Sequence, residues 1–153
     1  MPLKTVVDNL AQVFTEANVN NSKTARPILI AHNWPFDRQF LQYIFEFCEV
    51  DLSKLVSGAK DALSGNFIPD GIDTIQWAKN VHAQLTDNTT KFTLGECCER
   101  AGVSVIDGHR AMNDVVAMKD LFIYYSLRLR SGSSNVTVND GVAKVSPRNS
   151  FEW

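Results

Sequence analysis

One short stretch limits the fold of this chain more than any other: Pro27-Ile28-Leu29-Ile30-Ala31, an apolar run behind a proline with no polar residue in it. A strand with one wet face alternates apolar and polar side chains, so an unbroken run is expected of a strand covered on both faces, as in a parallel sheet. The proline suits a strand start, where its missing N–H costs no ladder bond. Helical patterns lie on both sides of this run. Val6, Leu10, Val13 and Phe14 fall at helical spacing between Thr5 and Ala17, with Thr5 and Asp8 as a weak capping pair. Phe36, Phe40, Leu41, Ile44, Phe45 and Cys48 set out a second apolar stripe at steps of three and four. The expectation is an α/β fold in which helices surround a reduced sheet.

Further along, Gly58, Gly65, Pro69 and Gly71 break up the stretch from Asp51 to Asp73. Asp73 stands as a cap before a helix over Thr74–Leu85. Thr93 and Glu96 form a capping box ahead of Leu94, Cys97, Cys98 and Ala101, and Gly102 is placed to end that helix. A long helix is predicted from Arg110 to Arg130, with Ala111, Val115, Met118, Phe122, Tyr125 and Leu129 on one side. Residues 131–135 read as a linker, and Val136–Val145 alternates around Asn139-Asp140-Gly141, a hairpin signal. The domain expectation is one unit over residues 1–130, followed by a linker and C-terminal hairpin or tail over 131–153.

The chain has 153 residues, of which 44% are hydrophobic and 21% charged, enough to bury a core. A formal net charge of −2 argues against an extended grip on duplex DNA, which shows as a strongly basic face. It leaves room for an enzyme that holds a few nucleotides through metal ions. The apolar runs are too short to span a bilayer, and Met1–Val7 lacks the regions of a secretory signal, so no membrane partner is expected. Cytoplasmic location follows, or the host cytoplasm for a viral gene. Cys48, Cys97 and Cys98 have no C-x-x-C spacing and read as reduced thiols. Cys97 and Cys98 match the apolar face of their helix, His82 reads as a surface residue, and the tyrosines and arginines at Tyr124, Tyr125, Arg128 and Arg130 could touch phosphate or suit the helix dipole.

Two segments place acids and an imidazole beside rigid apolar elements. In Ala31-His32-Asn33-Trp34-Pro35-Phe36-Asp37 a strand ends and a helix begins, with Asp37 on the first turn and Phe36 read as its inward anchor. A carboxylate so placed can bind a divalent metal or simply complement the helix dipole. In Gly108-His109-Arg110-Ala111-Met112-Asn113-Asp114, Asp114 sits one turn into a helix and His109 on its entry loop. That suits a metal-bound carboxylate with a general base of near-neutral pKa; a surface histidine and a solvated aspartate are the plainer alternative.

Taken together, ILIAHNWPFDRQFL (28–41) and FTLGECCERAGVSVIDGHRAMNDVVAMKDLF (92–122) resemble the second and third motifs of the DEDDh 3′–5′ exonucleases of the ribonuclease H-like superfamily, and Asp73-Thr74 matches a helix start common there. The resemblance implies a partial ribonuclease H-like fold. It makes Asp37 and Asp114 metal ligands and His109 the general base, with a two-metal site for Mg²⁺ or Mn²⁺. It also makes Asn33 and Phe36 supports of the substrate site, and leaves Trp34 open between stacking on a base and packing in the core. The implied substrate is the 3′ end of a single-stranded DNA or RNA, cleaved to nucleoside monophosphates. The family's first motif, D-x-E on a strand ahead of the opening helix, does not occur in the chain. The expectation is therefore that the first three strands are missing, and that a second polypeptide carrying D-x-E, or a homodimer, fills the sheet. The isolated chain is then expected to be inactive or weak. A catalytically inactive remnant that binds nucleic acid or protein is the alternative.

Overall fold

A computed structural model describes residues 1–18, 25–82, 90–104, 111–131, 136–139 and 142–145. It is mixed α/β, and it divides into two compact units, Met1–Asp73 and Thr74–Trp153.

The first unit opens with α1 (Leu3–Ala17). Pro2 stands at its N-cap with no side-chain hydrogen bond, so the expected Thr5–Asp8 cap falls inside the helix instead; Lys4 pairs with Asp8 across one turn. Proline is favoured near a helix start because its missing N–H would have no intrahelical partner there. The buried stripe is Val7 with Leu10, Ala11 and Phe14 packed around it, one step round from the expected one, and Val13 is exposed.

Strand β1 (Leu29–Ala31) runs parallel to β4 (Gly71–Asp73), with Leu29 opposite Gly71, Ile30 opposite Ile72 and Ala31 opposite Asp73. Helix α2 (Trp34–Phe47) follows β1 and packs against both strands. The parallel direction agrees with the apolar run. The burial does not: all three β1 residues are only half-buried and Ile28 is exposed, because this sheet has two strands among the described residues. Between α2 and β4 the chain makes a 3-10 turn (Leu52–Lys54) and an antiparallel pair, β2 (Gly58–Lys60) with β3 (Phe67–Pro69). The turn joining that pair is built on Asp61, whose Oδ1 accepts from the backbone N–H of Ser64 at 2.7 Å, and on Gly65 at φ 70°. Val7, Ile44, Phe45, Leu52 and Val56 form the core, with Phe14 stacked on Phe45 at 6.0 Å.

The second unit holds α3 (Thr74–Val81), α4 (Leu94–Ala101) and α5 (Ala111–Ser131). The capping box is present as read: Thr93 accepts from the Glu96 N–H, Glu96 accepts from that of Thr93, and Gly102 closes the helix at φ 68°. Cys97 and Cys98 are fully buried with Ala101, Val103, Ala117, Leu121, Tyr124 and Tyr125. The inward stripe of α5 is thus Ala117, Leu121, Tyr124 and Tyr125. Val115 and Leu129, expected inside, are exposed. Strands β5 (Val136–Asn139) and β6 (Val142–Val145) form the expected antiparallel hairpin, alongside α5. Isolated two-stranded hairpins are marginal in water, so α5 supplies support that the hairpin needs. Among the described residues no helix is long and apolar enough to cross a membrane.

Candidate functional site at the carboxyl ends of β1 and β4

The junction between β1 and α2 is a sharp one. Asn33 takes the left-handed conformation, φ 75° and ψ 54°, which asparagine tolerates better than most residues. Its carbonyl accepts from the Phe36 N–H at 3.0 Å, and its own N–H donates to Asp73 Oδ1 at 3.1 Å. The second of these bonds ties the start of α2 to the end of β4 across 40 residues of sequence. Asp73, read from the sequence as a helix cap, is thereby part of the strand–helix junction. The signal that it belongs there is positional: it is the last residue of β4, paired in register with Ala31, the last of β1.

Trp34 and Pro35 open α2, and Asp37 lies on its first turn. Trp34 is buried, with its ring against the Cα of Gly71, where a β-carbon would overlap it. Of the two roles open to this side chain, packing is the one seen. Trp34 is also the inward anchor expected of Phe36, which is exposed. The reason is helical phase: with Trp34, Leu41, Phe45 and Cys48 facing the core, Phe36 and Phe40 turn outward. Asn33 is exposed at the junction.

Partial burial raises the Asp37 carboxyl above its ordinary pKa, since a less solvated site disfavours the anion. A hydrogen bond from the backbone opposes this, the negative charge of Asp73 raises it further and His32 lowers it. The structure therefore brings together Asp37, Asp73, His32 and Asn33. The expected ligand Asp114 lies on the first turn of α5 in the other unit, half-buried on the face that carries Ala117 and Leu121; burial raises the Cys98 thiol, and the charge of Asp114 adds a smaller part. The expected base His109 lies outside the described residues.

The donor set suits a hard cation in kind. Asp37 and Asp73 are carboxylates, and Mg²⁺ is commonly held by one or two carboxylates with waters and substrate oxygens completing its shell. It is short in number, since among the described residues no group of three or more His, Cys, Asp or Glu side chains is placed to hold a metal. A cavity lined by Gln42, Phe45 and Glu46 lies at the C-terminal half of α2, away from these carboxylates.

Two other readings change. His82 is half-buried rather than a surface residue, edge-on to the Tyr125 ring at 6.0 Å, and burial together with Arg100 and Arg128 pushes its imidazole pKa down. Tyr124 and Tyr125, read as able to touch phosphate, pack in the core of the second unit. No family model matches the chain, and neither do curated proteins or solved structures.

Proposed function

We propose that this chain is the C-terminal part of a metal-dependent 3′–5′ exonuclease of the DEDDh kind, built on part of a ribonuclease H-like fold and completed by a segment that carries D-x-E. The observation that carries the reading is the meeting of Asp37 with Asp73 at the carboxyl ends of two parallel strands. In open parallel sheets, ligands bind outside those strand ends. The order β1, α2, β4, with α2 against both strands, and the H-N-x-x-F-D and H-R-A-x-x-D motifs support it from a second direction.

By the motif resemblance, Asp37 and Asp114 would each offer carboxylate oxygens to Mg²⁺ or Mn²⁺. When bound, such an ion makes hydroxide available near neutral pH and offsets charge on the phosphate. His109 takes the proton from the attacking water, a task suited to an imidazole titrating near neutrality. Asn33 shapes the junction that places Asp37. The substrate is the 3′ end of a single strand of DNA or RNA. Two ions need more oxygen ligands than Asp37 and Asp114 provide, so the partner's D-x-E is part of the working site.

The test is release of nucleoside monophosphates from 5′-labelled single strands, with Mg²⁺ and with chelator. The chain alone is expected to be inactive or weak. Co-expression with a D-x-E-bearing partner should restore activity, and Asp37→Ala or Asp114→Ala should abolish it again. Robust Mg²⁺-dependent trimming by the purified chain alone contradicts the need for a partner. Activity indifferent to both substitutions contradicts the site.

A further inference from the structure

Helix α2 is apolar on more of its circumference than its own unit covers. Trp34, Leu41, Ile44, Phe45 and Cys48 face inward, while Phe36, Phe40, Tyr43 and Phe47 are 70%, 62%, 62% and 67% exposed. The four exposed rings are spaced 4, 3 and 4 residues apart, which is the a/d repeat of a helix-to-helix seam. They lie along about 16 Å of helix at 1.5 Å per residue. Tyr43 and Phe47 are already stacked on each other at 6.2 Å.

We propose that this seam binds the same seam of a second copy, with the two α2 helices antiparallel across a two-fold axis. The spacing reads the same in both directions, as an isologous contact demands: Phe36 then meets the partner's Phe47, and Phe40 meets the partner's Tyr43. Antiparallel packing also sets opposite helix dipoles side by side. Gln39 and Glu46, both exposed on one flank of the seam, come opposite one another's copies, an amide beside a carboxylate rather than two like charges. A large aromatic side chain buries roughly 200 Å², so four rings two-thirds exposed present roughly 500 Å² of apolar surface. That is near the upper end of the largest patch on ordinary monomers, and over half of the roughly 800 Å² per partner in a stable interface.

Sedimentation of the full chain up to about 100 µM should show a concentration-dependent dimer. Phe40→Glu and Tyr43→Lys should each weaken it by about tenfold or more, the order seen when a central interface aromatic is lost, with circular dichroism unchanged. Mixing the two variants should restore a heterodimer, because position 40 of one copy faces position 43 of the other. A chain that stays monomeric throughout, including one whose seam serves an unrelated protein, overturns the proposal. So does a dimer that survives Phe40→Glu, or variants that fail to rescue each other.

Discussion

Gly71→Ala tests the packing that seats the start of α2. The φ of Gly71 lies outside the left-handed region, so its backbone accepts alanine, but the added methyl would overlap the six-membered and pyrrole rings of Trp34. Trp34 is 8% exposed and has little room to move. Overpacking of this kind costs about 1–3 kcal/mol, and the closeness of the overlap puts the expected value near the upper end. Trp34→Ala alone removes a buried indole, at about 3–5 kcal/mol. In that background the new methyl enters vacated space and Gly71→Ala becomes neutral, or stabilising by about 0.5 kcal/mol through the less flexible unfolded chain. The double-mutant cycle should therefore show coupling of about 3 kcal/mol, read from urea denaturation followed by circular dichroism at 222 nm. Costs that add to within about 0.5 kcal/mol would refute the contact. A neutral Gly71→Ala in the unmodified chain would refute it too.

Asp73→Asn should lower the Asp37 pKa, because it removes a negative charge that raises it; carboxyl-carbon NMR titration reads the shift, and an unmoved or raised value contradicts the pairing. The sign for stability follows from the raised folded pKa of Asp37. Its contribution is fully present below the unfolded value near 3.8 and is lost as pH rises through the folded one, so Asp37→Asn should melt slightly higher than the parent at pH 7 and not at pH 3. The effect is small, since Asp37 is exposed enough to be screened by solvent. Thr93→Ala should cost about 1 kcal/mol by removing the α4 cap. It should also flatten the acid limb of the melting curve: the Thr93 hydroxyl leads the causes that hold Glu96 below 4.5, a contribution present above that value and lost as pH falls through the folded pKa.

Local chemistry was the legible part of this sequence. The Thr93–Glu96 box, the Gly102 stop, the buried Cys97-Cys98 pair, the β5–β6 hairpin and the direction of β1 all rest on residues within a few positions of one another. Helical phase was harder to read. In α2 the apolar residues occupy so wide an arc that periodicity groups Phe36 and Phe40 with Ile44 and Phe45, and only packing reveals which half is covered. The same ambiguity shifted the stripes of α1 and α5 by a step. At the site, Asp37 was marked by its motif, whereas the bond from Asn33 to Asp73 depends on how β1 and β4 pair, which nothing near either residue encodes. His109 falls outside the described residues, so its reading stands on the motif alone.

The three cysteines provide a built-in way to watch the two units separately. Cys97 and Cys98 are fully buried in the second unit, and burial raises both thiols, Cys98 to about 11, so neither offers much thiolate to a reagent while the unit is closed. Cys48 belongs to the first unit and is half-buried. An alkylating reagent added under native conditions therefore marks opening of the second unit by labelling at the paired cysteines, and movement around the end of α2 by labelling at Cys48. Equal rates would mean that the chain opens as one body. Separate rates would give each half its own lifetime, and would show which half a binding partner steadies.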